Sequence, residues 1–236
     1  MGSSVGIKEA IQGLATEWGV QVEDRGDEVV CIVPDGDVVK VKLTEEGLVE
    51  GLLLLKSSLV KSSGGEAPGE HIMGWMEPNE LRWLYEEAKK VGSVVEIGSW
   101  CGRSTYALLS GCSGKVYAVD TWLGSPECQG WIEAGVRPYD EFMKNCGGFE
   151  NLEVLKMGSR DAVGFVEGEV DMVFIDGDHS YEAVREDIDL WEPKCKKVLC
   201  GHDMLTHEGV KRAVEERFGG SGYEVVEGTS IWVVRK

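Results

Sequence analysis

The sequence is short of basic residues, of paired cysteines and of long apolar runs, and each shortage excludes a class of function. Against 42 aspartates and glutamates stand only 24 lysines and arginines, a formal charge of -18. A nucleic-acid binder neutralises phosphates with lysine and arginine. No basic stripe exists here, so neither nucleic acid nor an anionic membrane surface is expected as a partner. The cysteines are Cys31, Cys101, Cys112, Cys128, Cys146, Cys195 and Cys200, an odd number with no CxxC pair. That argues against a zinc site and against a secreted disulfide framework. The expectation is reduced thiols in the cytoplasm. Residues 1–6 lack the basic and apolar pattern of a signal peptide. The longest apolar run, 52–55, is far too short to span a bilayer.

What is present is ordinary for a globular protein: 42% apolar and 28% charged residues. A length of 236 residues suits one substantial domain with a smaller attachment. Residues 61–69, rich in Ser, Gly and Pro, read as a linker between the two. We therefore expect a small α+β region at 1–60, a linker at 61–70 and the main domain at 71–236. In the first region Ile7, Ala10, Ile11, Leu14 and Trp18 fall at helical spacing. Two β-like runs, 28–33 and 37–43, flank turn chemistry at Pro34-Asp-Gly-Asp and predict a hairpin. Thr44 begins a second predicted helix over 44–60. So small a piece buries little alone. It should pack on the main domain or on another subunit, which would make a homo-oligomer.

The main domain alternates strand-like and helix-like runs. An opening helix has Pro78 near its start and an apolar face of Leu81, Leu84, Tyr85, Ala88 and Val91. Strands are predicted at 93–97, 115–119, 152–156, 170–175 and 197–200. Helices are predicted at 103–109, 139–145, 160–166, 181–191 and 207–218. Buried parallel strands with helical crossovers make a Rossmann-like doubly wound sheet. The last run, 223–235, breaks the alternation with two strands around a tight Gly228-Thr229 turn, adding an antiparallel strand. The segment 121–138 has no clean period. Its tryptophans, Trp122 and Trp131, fit either a lid over the site or a local apolar cluster.

Doubly wound sheets bind ligands at the carboxyl ends of their strands. Here those ends are chemically rich. The first strand runs into Glu96-Ile-Gly98-Ser99-Trp-Cys-Gly102-Arg103-Ser104, a glycine-flanked turn that lets a ligand approach backbone and a helix N-terminus. The dinucleotide pattern GxGxxG is missing, with Arg103 at its third glycine position. Glu96 would repel a pyrophosphate but tolerate an ammonium. The second strand closes with Asp120-Thr121, placed to accept ribose hydroxyls. The fourth ends in Asp176-Gly-Asp178-His179-Ser180, and the fifth in His202-Asp203-Met204. Capping the next helix accounts for Asp178 or Ser180 but does not require three such groups together. Two carboxylates beside a histidine suit a hard divalent cation or an acid–base pair.

The motifs EIGSWCGRST (96–105), VYAVDTW (116–122), VFIDGDHSYEAVREDIDLW (173–191) and CGHDM (200–204) together resemble the class I S-adenosylmethionine (SAM)-dependent methyltransferases. More narrowly the chain is similar to the small-molecule O-methyltransferases grouped with macrocin O-methyltransferase and cephalosporin hydroxylase-like proteins. The likeness covers about residues 77–236. It implies a seven-stranded sheet with the last strand antiparallel. It implies that Glu96, Gly98, Ser99 and Gly102 surround the methionine part of SAM, with Ser104 opening the next helix. Asp120, with Thr121 beside it, would hold the ribose. Ser159 and Arg160 would flank the adenine, and Asp176, Asp178 and His179 would sit near donor or acceptor. Metal-dependent relatives place acids where Asp176 and Asp203 stand. Met204 occupies a place where an Asn could be, so His202 or His179 would complete the ligand set for Mg²⁺ or another divalent cation.

The expected reaction is attack of a small-molecule hydroxyl on the SAM methyl group. The proton would be removed by His179 or His202, or through a metal on Asp176 and Asp203. Two other readings compete: a SAM-binding but catalytically silent module, and a nucleotide-linked oxidoreductase. The missing GxGxxG counts against the latter.

Overall fold

A computed structural model describes residues 21–26, 28–32, 38–42, 67–219 and 222–236. The chain divides into two compact units, one of residues 1–66 with 130–136, the other of residues 67–129 with 137–236. In the first unit, β1 (Gln21–Asp24), β2 (Glu28–Ile32) and β3 (Val38–Lys42) form an antiparallel sheet in that order. The predicted hairpin is β2–β3, with Glu28 opposite Lys42 and Ile32 opposite Val38. Strand β1 went unforeseen because Gln21-Val-Glu-Asp24 is polar and largely exposed, with no alternation to mark it. The helices predicted around Ile7–Trp18 and 44–60, and residues 61–66 of the predicted linker, lie outside the described residues.

The second unit begins with α1 (Pro78–Ala88), β4 (Ser93–Ile97), α2 (Arg103–Gly111) and β5 (Lys115–Asp120). A 3-10 turn (Pro126–Cys128), the short α3 (Gln129–Glu133), α4 (Pro138–Cys146), β6 (Leu152–Lys156) and α5 (Ser159–Ala162) follow, most of α3 lying in the first unit. Then come β7 (Val170–Ile175), α6 (Tyr181–Trp191), β8 (Cys195–Gly201), α7 (Glu208–Phe218), β9 (Glu224–Val225) and β10 (Trp232–Arg235). The seven strands lie in the order β6-β5-β4-β7-β8-β10-β9. The first five are parallel, and β10 runs antiparallel to both β8 and β9. The expected doubly wound sheet with its antiparallel C-terminal strand is therefore present.

Period-two alternation builds two cores from each strand. Val94, Val116, Ala118, Met172 and Phe174 face a cluster with Leu81, Leu84, Leu108 and Phe142 from α1, α2 and α4. Their neighbours Val95, Val119, Val173 and Ile175 face Ile188, Trp191, Val210 and Val214 from α6 and α7. Fully burying one such side chain contributes ~1.5–3 kcal/mol. Burial on both faces is why these strands read as continuous apolar runs.

Three local expectations shift. Helix α5 stops at Ala162 rather than continuing to 166. There the amides of Gly164 and Phe165 turn back to the carbonyls of Asp161 and Ala162, three residues earlier, where glycine favours a break. The connection between β9 and β10 is wider than a two-residue turn: Val226 N donates to Ile231 O, and Gly228 sits at φ 73°. Ala67 and Glu70, assigned to the linker, are buried. The Arg103 guanidinium fastens this stretch, donating to the carbonyls of Glu70, Ile72 and Met76. Trp122 is also buried, packing on Tyr139 and Phe142, so it belongs to the local apolar cluster. Among the described residues no helix is long and apolar enough to cross a membrane, and none of the seven cysteines pairs.

Candidate active site

Strand order reverses at β4, which continues through α2 to β5 on one side while β7 lies on the other. The ends of all three strands meet there. Gly98 N donates to Val119 O, and Asp176 N donates to Ile97 O, both at 2.8 Å. Gly98 has φ 91°, and a Cβ on it would lie 2.0 Å from the Asp176 carbonyl oxygen. Only glycine fits this contact. Gly102, at φ 93°, starts α2, and a Cβ there would meet Cys146 Sγ at 2.6 Å.

Glu96 is fully buried beneath this turn. Its Oε2 accepts hydrogen bonds from Ser99 Oγ at 2.7 Å and from the Thr105 hydroxyl, while its Oε1 has no partner. Burial pushes its pKa up to about 7, against the pull of the Ser104, Thr105 and Ser99 hydroxyls. Ser99 and Ser104 are buried with it. Asp120 accepts from Trp100 N at 2.8 Å and Trp122 N at 2.6 Å, which ties the glycine turn to the end of β5. Thr121 is exposed and accepts from Leu123 N at 3.3 Å. Ser159 and Arg160 are already engaged on α6: Ser159 Oγ accepts from Trp191 Nε1 at 2.7 Å, and Arg160 pairs with Glu186. Asp178 is exposed, and its Oδ1 accepts from Ser180 N at 2.7 Å. Ser180 Oγ caps α6 through Ala183 N. Helix capping thus accounts for Ser180 and for one oxygen of Asp178.

Beyond β7 and β8 the titratable groups converge on Asp203, which sits in the left-handed region at φ 62°. Its Oδ2 lies 3.1 Å from His179 Nε2 and 3.3 Å from His202 Nδ1, and its Oδ1 lies 3.1 Å from His207 Nδ1. Thr206 Oγ1 donates to the same Oδ1 at 2.5 Å. Despite the opposing cost of burial, these partners hold the Asp203 carboxyl well below the usual range. On its other side His202 Nε2 lies 2.9 Å from Glu80 Oε2, a close ion pair without hydrogen-bond alignment. Glu80 is buried and is itself fixed by the amides of Glu77 and Ser230, each at 2.8 Å. Burial alone would lower the imidazole pKa values. The surrounding carboxylates raise them instead, His202 to about 11 and His179 to about 9. Both rings therefore hold a proton at neutral pH, and neither is a ready base in this arrangement. Asp176 lies 3.8 Å from His202 Nδ1. Burial pushes it up to about 6, with His202 opposing.

Asp176, His202 and Asp203 offer ligand atoms within 4.8 Å of one another, a spacing that fits one cation. An ion there would have to displace the His202 proton. Met204 is buried in the core and supplies no ligand. The structure also brings in Glu80, Glu127, Thr206 and His207, which sequence reasoning did not single out. Glu127 Oε2 lies 2.8 Å from His179 Nδ1. Only His207 carried a local signal, as a polar residue at the start of a predicted helix.

Residues 95–204 match the family described as Methyltransferase domain. That match spans every motif read above from Glu96 to Met204. Solved structures share the fold. The O-methyltransferase NovP is 14% identical, with 82% of this chain and 99% of that one covered at a TM-score of 0.56. An O-methyltransferase from Bacillus cereus in complex with SAH is 16% identical, with 78% and 90% covered and a TM-score of 0.51. An SAH-bound methyltransferase from Podospora anserina is 13% identical, with 78% of this chain and 86% of that one covered at a TM-score of 0.51.

Proposed function

We propose that the protein transfers a methyl group from SAM to an oxygen, most simply a hydroxyl, of a small-molecule acceptor. One observation carries the reading. The glycine turn of β4 and the acid–imidazole cluster after β7 and β8 share one edge of the sheet, joined where Gly98 abuts the Asp176 backbone. The residues suit the donor. Glu96 Oε1 is a buried acceptor without a partner, and an ammonium nearby would favour its ionised form. Gly98 and Gly102 open the backbone, and α2 offers its free N–H groups to a carboxylate. The SAH-bound structures of fold relatives support the same donor.

SAM supplies a methyl group on a cationic sulfur, which passes in line to the acceptor oxygen. The chain's part is to position the acceptor and to take its proton. Asp176 suits that task, because a base works best with a pKa near the working pH. His202 and His179 hold Asp203 in place and set a positive field beside Asp176. Asp176, Asp203 and His202 would also be the holders of a divalent cation, which would polarise the acceptor oxygen. The odd, unpaired cysteines support a reducing, cytoplasmic setting.

Thermal unfolding with SAH, with NAD as control, tests the donor. At ~100 times its Kd a ligand stabilises by about 2.7 kcal/mol, roughly 5–10 °C for a chain of this size. Asp176→Asn should keep that shift while losing SAH release on a panel of hydroxylated acceptors. No shift with SAH at millimolar concentration would sink the reading.

A further inference from the structure

Next to Asp176 and His202 lies a second group of donors, of which the methyl-transfer reading uses only His179. Glu127 comes from the 3-10 turn after β5, His179 from the loop after β7, and His207 from the residue before α7. Three separate loops bring them together, and their ligand atoms lie within 4.8 Å of one another. Glu127 Oε2 is 2.8 Å from His179 Nδ1 and 3.7 Å from His207 Nε2. The two rings lie side by side, centroids 4.2 Å apart and planes 40° from parallel.

The far side of each ring supplies the independent observation. His179 Nε2 lies 3.1 Å from Asp203 Oδ2, and His207 Nδ1 lies 3.1 Å from Asp203 Oδ1. One carboxylate therefore grips both imidazoles by their distal nitrogens, and Thr206 Oγ1 steadies that carboxylate. Histidines that bind metals are held in this way, with the outer nitrogen on a carboxylate, and an ion on the inner nitrogen of His179 would displace the proton shared there with Glu127. Asp203 is itself largely shielded from solvent, so the grip is fixed. Glu127 is exposed, leaving the approach open to solvent. A protein with a formal charge of -18 also attracts cations at long range.

We propose that Glu127, His179 and His207 bind a divalent transition-metal ion, with Asp203 orienting both imidazoles from behind. Two imidazoles and one carboxylate favour zinc, cobalt, nickel or iron(II) over magnesium, which prefers oxygen alone. Three protein ligands leave at least one position on such an ion for water or an oxygen ligand. The site is distinct from Asp176, His202 and Asp203, because none of its three ligands belongs to that group. It stands whether or not the protein transfers methyl groups.

The test is titration of chelator-treated full-length protein with Co²⁺, read by its visible d–d absorption, and with Zn²⁺ in competition. One equivalent of Co²⁺ should bind with a nitrogen-ligand spectrum, and Zn²⁺ should displace it while a large excess of Mg²⁺ does not. Glu127→Gln and His207→Gln should each weaken binding at least tenfold with an unchanged melting temperature in the absence of metal. Asp176→Asn should keep the equivalent. Absence of a Co²⁺ spectrum would overturn the proposal. So would its loss in Asp176→Asn with retention in Glu127→Gln, which would place the ion among the other three residues.

Discussion

Replacing Asp187 by asparagine should stabilise the protein at neutral pH, by an amount set by how deeply α6 buries that carboxyl. Asp187 is 7% exposed, and burial raises its pKa from 3.8 to about 6, against a hydrogen bond with Ser159 and with Asp178 adding to the rise. An acid whose folded pKa is raised favours folding most below its unfolded pKa. That contribution is lost as pH climbs through the folded value. With 3.8 and about 6 as the two values, ionisation costs about 3 kcal/mol at pH 8 and about 1.6 kcal/mol at pH 5. Asparagine keeps the shape and the capacity to bond Ser159 but carries no charge. Asp187→Asn should therefore melt roughly 6–12 °C above the parent at pH 8. The gap should narrow by about half at pH 5. Differential scanning calorimetry of both proteins across that range measures it. Equal melting at pH 8, or a gap that does not change with pH, would refute the assignment of the cost to desolvation.

Two further perturbations bear on the frame of the site. Gly98→Ala must place a Cβ against the Asp176 carbonyl at positive φ. It should cost about 2–4 kcal/mol and abolish the thermal shift with SAH; a variant that melts within a degree of the parent and still binds would remove Gly98 from the argument. Arg103→Met leaves the carbonyls of Glu70, Ile72 and Met76 without their donor. At ~1–3 kcal/mol for each buried group left unsatisfied, the loss should exceed 3 kcal/mol and expose residues 67–76 to limited proteolysis; an unchanged cleavage pattern would count against Arg103 as their fastening.

The sheet was legible because its strands are buried on both faces. Val94-Val95 and Met172-Val-Phe-Ile175 read as apolar runs, and β4, β6 and β7 begin and end where predicted. The acids at the strand ends were legible for the same reason. A polar residue directly after such a run has to emerge at the carboxyl edge, so Asp120, Asp176 and Asp203 could be placed without coordinates. Local chemistry was silent where the partner is far along the chain. Ser159 and Arg160, expected beside adenine, also meet Trp191 and Glu186 from α6, contacts that their spacing does not signal. The linker reading rested on small residues at 67–69, but Arg103 pins that stretch into the domain.

The protonation of the histidines belonged to tertiary structure alone. His179 and His202 look like bases in isolation. Glu80, from α1, and Asp203 turn His202 into a buried cation, and Glu127 and Asp203 do the same for His179. Glu80 itself reads in sequence as an ordinary acid in the first turn of a helix, where it completes a capping box with Glu77. What the sequence by itself determined was the set of short-range outcomes: strand positions, the glycine turn, and which residues stand at the sheet edge. Those depend on periodicity and backbone freedom within a few residues. The charge states, the grip of Asp203 on two imidazoles and the approach of Glu127 depend on groups brought together by folding. Coulomb interactions and desolvation follow distance in space and burial, and neither is written in the spacing along the chain.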